Sequence, residues 1–338
     1  MYTIGYMPNG EPVTAAEIEG GNLKATILSY GSLLHSLQLT GHDAPLVLAY
    51  ADFEDYLSHA LYLGSNCGRS IGRTRGGRLV IDGEEFQLEK NSSGKHNLHG
   101  GTNGIGTRNW KFVSVSRDEA VLEIRCPDGN MGFPGNLDVR ATYRLSQGSG
   151  LSVTLEAVTD RPTMCSLTHH SYFNLEDGGE TSILDHNLKI HGGAYLPVDE
   201  DLVPDGRVVP VAGTDFDFRE SRPIRHQRDG SQVIYDNNFC ISAARGELRL
   251  AATAKARGSG VTMECWTTEP GLQFFAGDSM ARPAVTPRGY PFSAYSGFCL
   301  EAQIWPNSAE YSYFPQAILR PGEVSTQVTE YRFSRATD

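Results

Sequence analysis

The sequence contains no closely spaced pair of cysteines. Its six, Cys67, Cys126, Cys165, Cys240, Cys265 and Cys299, are widely scattered, which argues against a zinc ribbon and a dithiol redox motif. Several stand inside apolar, strand-like runs, where a free thiol packs as a small hydrophobe. No apolar segment approaches membrane-spanning length. The opening MYTIGYMPNG lacks the basic start and apolar stretch of a secretory signal, so the cytoplasm is the expected compartment. Asn91-Ser92-Ser93 fits a glycosylation triplet, but nothing else points to secretion. Cationic residues are in deficit: 29 Lys and Arg against 40 Asp and Glu give a net charge of −11 with histidine neutral. That field repels nucleic acid and anionic membranes, and a neutral ligand fits it best.

Helical periodicity is also scarce. The segment 52–64 is the clearest candidate for a short helix, with Asp52 at its N-cap. No strand–helix–strand rhythm supports a doubly wound parallel sheet. Period-two alternation dominates instead. In LDVRATYRL, Leu137, Val139, Ala141, Tyr143 and Leu145 alternate with Asp138, Arg140, Thr142 and Arg144. Beyond the turn-like SQGSG, LSVTLEA repeats the pattern, which predicts an antiparallel hairpin. AVLEIRC (120–126), ELRLAATAKA (247–256) and VTMECWTTE (261–269) add similar strands. The expected fold is all-β, one large antiparallel sandwich. At 338 residues, the length alone allows one large β domain or two ordinary ones.

Five polar clusters interrupt apolar sequence, where burial is costly unless the groups are paired or used. GRSIGRTRGGRL (68–79) sets Arg69, Arg73, Arg75 and Arg78 among glycines. It has neither the ending nor the following helix of a phosphate loop, so a twisted edge strand with mostly solvated arginines is expected. One arginine turned into a cleft would fork onto polar groups of a ligand. GKHNLHGG (94–101) carries His96 and His99. No carboxylate or cysteine joins them at ligand spacing, which makes metal a minority reading. One of the two is expected at the surface and the other in a site. In SLTHHSYFNL (166–175), adjacent His169 and His170 face opposite ways on a strand, so at most one enters a given pocket. An imidazole there is either a hydrogen-bonded core group or a proton carrier near neutrality. In DNNFC (236–240), Asp236 reads first as a turn or cap. In GFCLEAQIWPNS (297–308), Glu301 shares a face with Cys299 and Gln303, and is either an outward strand residue or a buried, shifted base.

Taken together and in order, these segments resemble the aldose 1-epimerases, the galactose mutarotase family. The resemblance runs along nearly the whole chain. It covers GR…GR (68–73), NLHGG (97–101), THHSYFNL (168–175), PVDEDLVPDG (197–206), FDFR (216–219), DNNFC (236–240), TTEPGLQFFAGD (267–278), GFCLEAQIWPNS (297–308) and LRPGE (319–323). It implies a galactose mutarotase-like β supersandwich and one aldose 1-epimerase domain over residues 1–338. It also implies that His170 is the general acid and Glu301 the general base, with Arg73, His99, Asp236 and Gln273 as sugar-binding groups. Gly72 stands where family members often have Asn, Glu269 where Gln is common, and His169 where Asn is common. None of these departures falls on the acid–base pair.

The implied activity is interconversion of the α and β anomers of a free aldohexose by ring opening and closure. That chemistry involves no redox change and no group transfer, so no cofactor and no metal is expected. The expected partner is a small sugar, with no nucleic acid and no membrane, and the chain is compatible with a monomer or a homodimer. Trp305 or Phe275 is expected to offer an apolar face to the sugar ring. Three rival readings differ in class. A carbohydrate-binding protein of the same fold would need no opposed acid and base. A glycoside-cleaving enzyme would pair two carboxylates across the bond. A metal-dependent enzyme would use His96, His99 and His170.

Overall fold

In the computed structural model, which describes residues 1–59 and 61–335, the alternating segments form the expected strands. Along Leu137–Leu145 the five apolar side chains point inward, while Asp138, Arg140 and Arg144 are exposed. The strand pairs antiparallel with Gly150–Thr159 in unbroken register from Leu137↔Thr159 to Leu145↔Leu151. A period of two places one face on the core and the other in solvent, which is how a half-buried sheet specifies its register.

These strands belong to a nine-stranded sheet in the order Lys111–Val115, Glu119–Cys126, Leu137–Leu145, Gly150–Thr159, Ser325–Arg335, Val261–Thr267, Arg249–Lys255, Asn187–Ile190 and Arg222–Pro223. The C-terminal strand Ser325–Arg335 thus inserts between two strands far from it in sequence. A six-stranded sheet runs Tyr172–Phe173, Phe298–Gln303, Gly271–Phe275, Asp236–Cys240, Ala194–Tyr195 and Val209–Pro210. A third sheet holds the N-terminal strands Tyr2–Tyr6, Pro12–Gly20, Leu23–Leu28 and Leu33–Leu39. The pairings are antiparallel among the described residues, as expected of a large antiparallel β supersandwich.

The largest apolar cluster brings residues of the nine-stranded sheet, such as Val153, Met263 and Tyr331, together with Phe173, Phe274, Phe298 and Leu300 of the six-stranded one. Phe173 packs on Tyr331 with ring centroids 4.9 Å apart. Polar tethers cross the same gap. The Gln327 amide donates to the Ala302 carbonyl at 2.8 Å and the Tyr331 hydroxyl donates to Leu300 at 3.3 Å. Phe298–Gln303 is buried along its whole length: one face packs into the core, and the other, bearing Cys299, Glu301 and Gln303, lies under the cleft described below.

The 52–64 segment holds the expected short helix, Phe53–Ser58, with Asp52 at its N-cap, though the Asp52 side chain bonds no helical N–H; residue 60 lies outside the described residues. One expectation needs correction. The arginine run is not one edge strand. It breaks into the short strand Arg73–Thr74, a turn at Arg75–Gly77 and the strand Arg78–Ile81, where glycines at positive φ reverse the chain. The six cysteines are free, five of them buried. Among the described residues, no helix is long and apolar enough to cross a membrane.

Candidate active site

Three neighbouring strands of the six-stranded sheet supply the cleft's polar floor. Cross-strand pairing sets Glu301 opposite Gln273, Gln273 opposite Asn238, and Asp236 opposite Phe275. On Gly271–Phe275, Leu272 and Phe274 are fully buried in the core, so Gln273 and Phe275 face the other way by alternation. Asp236 stands at the start of its strand, where Gln273 donates to its Oδ1 at 2.6 Å. The expected turn or cap at Asp236 is therefore a strand residue aimed at a site.

His170 lies just before Tyr172–Phe173, the strand that pairs with Phe298–Gln303 in the same sheet. It follows the strand Thr168–His169, and its backbone is held on both sides: its N–H donates to the Ser65 carbonyl at 2.9 Å, and its carbonyl accepts from Gly64 at 3.0 Å. His169 turns away, its Nδ1 3.0 Å from Asn66 Oδ1 and its Nε2 2.7 Å from Ser171 Oγ. Burial lowers its pKa to about 3, so His169 is a neutral, satisfied core group. Arg73 and His99 complete the rim: Arg73 pairs with Leu98 across two short strands, and the His99 N–H donates to Gly72 at 3.3 Å.

The six residues that the resemblance singled out, Arg73, His99, His170, Asp236, Gln273 and Glu301, therefore line one cleft of about 200 Å³. This is below the ~300–1,000 Å³ of drug-sized sites and suits a small ligand. Nε2 of His170 lies 3.5 Å from Oε1 of Glu301, with the two side chains 6% and 4% exposed. The His99 and His170 rings meet edge to face at 5.3 Å. Burial pushes His170 down to about 4 and His99 well below the usual imidazole value, His99 being further lowered by His170 and Arg73. Burial raises Glu301 well above the ordinary carboxylate, and the Asp236 charge raises it further. Asp236 is also raised by burial, with Arg73 and the Gln273 bond opposing. Without a ligand, desolvation thus favours an uncharged imidazole beside a protonated carboxyl.

Phe275 lines the cleft, as expected, but Trp305 does not. Trp305 packs against Phe314 and donates its indole N–H to Pro270 at 3.0 Å. Several lining residues carried no expectation. Leu61, Leu98, Leu202 and Tyr172 add apolar surface, and Ser279 and Arg282, the latter opening the strand Arg282–Val285, add polar groups. Tyr62 also lines it, at φ 54°, a left-handed conformation that costs a bulky residue energy. Its ring meets His99 edge-on at 4.9 Å. Nothing in the run Leu61–Leu63 marks this tyrosine out except its polar tip.

The other expected candidates have structural roles. Arg69 is 2% exposed; it donates to the carbonyls of Cys126, Pro127, Pro134 and Gly135 and to Thr163. Arg75 pairs with Asp199 and Glu310, and only Arg78, paired with Glu85, is fully at the surface as expected. His96 is not a surface histidine: it is buried, accepts from the Gly76 N–H at 3.1 Å, and sits 3.4 Å from Asp201. Glu269 is fully buried against Arg245, away from the cleft. Gly72 lines the cleft at φ 62°, and a Cβ there would lie 2.8 Å from Pro306 Cβ, so a larger residue requires Pro306 to move. Among the described residues, the group close enough to hold a metal is His170, Cys299 and Glu301, with ligand atoms within 4.8 Å of one another. His96 is not part of it, which removes the metal reading built on His96, His99 and His170. Burial raises the thiol and the carboxyl, opposing the deprotonated forms that bind metal.

Comparisons with known proteins identify the family. The sequence profile of the aldose 1-epimerase family matches residues 15–332. Galactose mutarotases of Sus scrofa and Homo sapiens are each 35% identical, and the aldose 1-epimerase of Escherichia coli K12 is 32% identical; in all three, 98% of both chains is covered. An aldose epimerase homologue from C. elegans superposes with a TM-score of 0.89 at 25% identity, covering 96% of this chain and all of the other. Galactose 1-epimerase from Lactobacillus acidophilus superposes at 0.84 with 27% identity, covering 99% and 98%. The chain is a galactose mutarotase-like β fold, and it belongs to the aldose 1-epimerase family of isomerases.

Proposed function

We propose that this mutarotase acts on a free aldohexose such as galactose or glucose, with Glu301 and His170 as its acid–base pair. Glu301 takes the C1 hydroxyl proton, the electron pair of that O–H bond becomes the second bond of the C1 carbonyl, and the bond from C1 to the ring oxygen breaks with its pair going to that oxygen. His170 gives that oxygen its proton. Rotation about C1–C2 then presents the other carbonyl face, and closure runs the same transfers backward with the roles exchanged. Both groups must come within roughly 2.6–3.2 Å of the reacting oxygens. Arg73, His99, Asp236 and Gln273 hold the remaining hydroxyls and supply orientation, and Phe275 offers the ring an apolar face.

The observation that carries this reading is the 3.5 Å approach of His170 Nε2 to Glu301 Oε1 within a desolvated cleft. A neutral imidazole beside a protonated carboxyl, the forms that burial favours, carries the same single proton as the reacting pair. Moving it from Glu301 to His170 produces the ionised base and charged acid that the first step requires. No redox partner or transferred group enters the equation. A protein that only bound sugar would have no use for two titratable groups desolvated against each other. We also take residues 1–338 as one catalytic domain, and the six free thiols favour a reducing compartment, the cytoplasm.

The test is polarimetry of freshly dissolved α-galactose and α-glucose with purified protein. Relaxation to the equilibrium rotation should be accelerated in proportion to enzyme added. Saturable sugar binding with no change in relaxation rate would make the chain a carbohydrate-binding protein instead.

A further inference from the structure

We propose that Cys299 is the positioning residue of the proton-carrying imidazole: its sulfur accepts a hydrogen bond from the Nδ1–H of His170, leaving Nε2 to give and take the proton at the sugar. The inference rests on the acid–base reading of His170 above.

The geometry confines the ring from several sides. Cys299 Sγ is 3.5 Å from Nδ1, while Nε2, on the opposite edge, faces Glu301 at 3.5 Å. The ring lies on Tyr172 with centroids 5.1 Å apart and planes 24° from parallel. Tyr172 and Cys299 are direct cross-strand partners, so the stacking surface and the sulfur come from the same rung of the sheet. The backbone bonds to Ser65 and Gly64 fix where the side chain starts. Cys299 is fully buried, and burial together with the nearby Glu301 charge keeps it a thiol.

The chemistry requires one tautomer. An imidazolium carries protons on both nitrogens. Once Nε2 has given its proton to the ring oxygen, the proton that remains must be on Nδ1. The neutral ring then has a bare Nε2, which can take the proton back when the sugar closes. A ring that relaxed to the Nε2–H form could not do so. Which nitrogen keeps its proton is decided by the hydrogen bond made at the other. Sulfur is a weak acceptor, so it selects the tautomer without the counter-charge that a carboxylate would place there. A carboxylate would hold the imidazolium protonated and make it a poorer acid.

Nitrogen-15 NMR of histidine-labelled protein at neutral pH reads the tautomer directly. The expected result is a protonated Nδ1 and a bare Nε2 for His170. Cys299→Ala should shift the ring toward the other tautomer and lower kcat about tenfold, the low end for the loss of a histidine-orienting partner, with KM little changed. Cys299→Ser, whose hydroxyl oxygen accepts the same bond, should restore most of kcat. A wild-type ring protonated on Nε2 would overturn the inference, as would a Cys299→Ala enzyme with unaltered tautomer and kcat. So would a Ser variant as slow as Ala with the tautomer intact, which would mean packing alone. If the Ala variant does not fold, the wild-type spectrum and the Ser variant decide. These failures differ from failure of the parent reading, which would show as an active His170→Asn enzyme.

Discussion

Asp236 and Glu301 share one cleft floor, and the Asp236 carboxylate raises the proton affinity of Glu301, second only to burial. Gln273 stands between them in the sheet, opposite Glu301 and bonded to Asp236 at 2.6 Å. A sugar-holding carboxylate therefore also tunes the base. Asp236→Asn keeps the shape and removes the charge. It should raise KM, and it should move the alkaline limb of the kcat/KM profile to lower pH, because Glu301 then holds its proton less tightly. An unmoved limb would show that the two carboxyls are electrostatically independent.

The pair itself sets the pH dependence of the parent enzyme. Activity requires one proton shared between His170 and Glu301. Below the lower apparent pKa both are protonated and no base remains; above the upper one neither is protonated and no acid remains. Burial depresses His170 to about 4 and raises Glu301 well above the ordinary carboxylate range, so the acid limb should lie near pH 4 and the alkaline limb above the usual carboxylate value. The two limbs belong to the coupled pair and to neither residue alone. A steady-state profile whose acid limb lies near the ordinary imidazole value of about 6.5 would contradict the desolvated geometry.

Two arginines four residues apart should separate cleanly. Arg73→Ala should raise KM with little effect on stability, since Arg73 lines the cleft. Arg69→Ala should do the reverse. It takes the guanidinium from the buried carbonyls of Cys126, Pro134 and Gly135, at about 1–3 kcal/mol for each group left unsatisfied, reduced where water enters. Urea unfolding and sugar kinetics on both variants would check this. A destabilised Arg73 variant or a stable Arg69 variant would reverse the assignment.

The two aromatics proposed for the sugar face should also differ. Phe275→Ala should raise KM severalfold, a loss of about 1 kcal/mol of apolar contact with the ring, whereas Trp305→Phe should leave KM and kcat near the parent values. Trp305 packs on Phe314, outside the cleft. A KM effect confined to the Trp305 variant would relocate the sugar.

These contrasts mark where the sequence was legible. Alternation from Leu137 to Leu145 fixes strand, face and register, because the period of two is a local property of the backbone. The same rule separates His169 from His170. It places Glu301 with Cys299 and Gln303 but leaves their face open, because polar side chains on alternate positions mark a solvent face and a polar cleft floor equally well. The arginine run reads as an edge strand because the carbonyls of residues 126–135 that surround Arg69 have no local signature. The same holds for the partners that bury His96, the Gly76 N–H and Asp201. Tyr62 and His99, at φ 54° and 49°, owe their orientation to strained backbone positions imposed by tertiary packing.

The most direct measurement is the interconversion rate of Glu301→Gln and His170→Asn, each near its parent's shape but unable to move its proton. Each should bind sugar and slow α-galactose mutarotation by about 10²-fold or more, the usual worth of a positioned proton-transfer group. The double variant should be little worse than the slower single one, because the two act as a unit. A folded single variant that relaxes the sugar as fast as the parent would take the chemistry away from that residue.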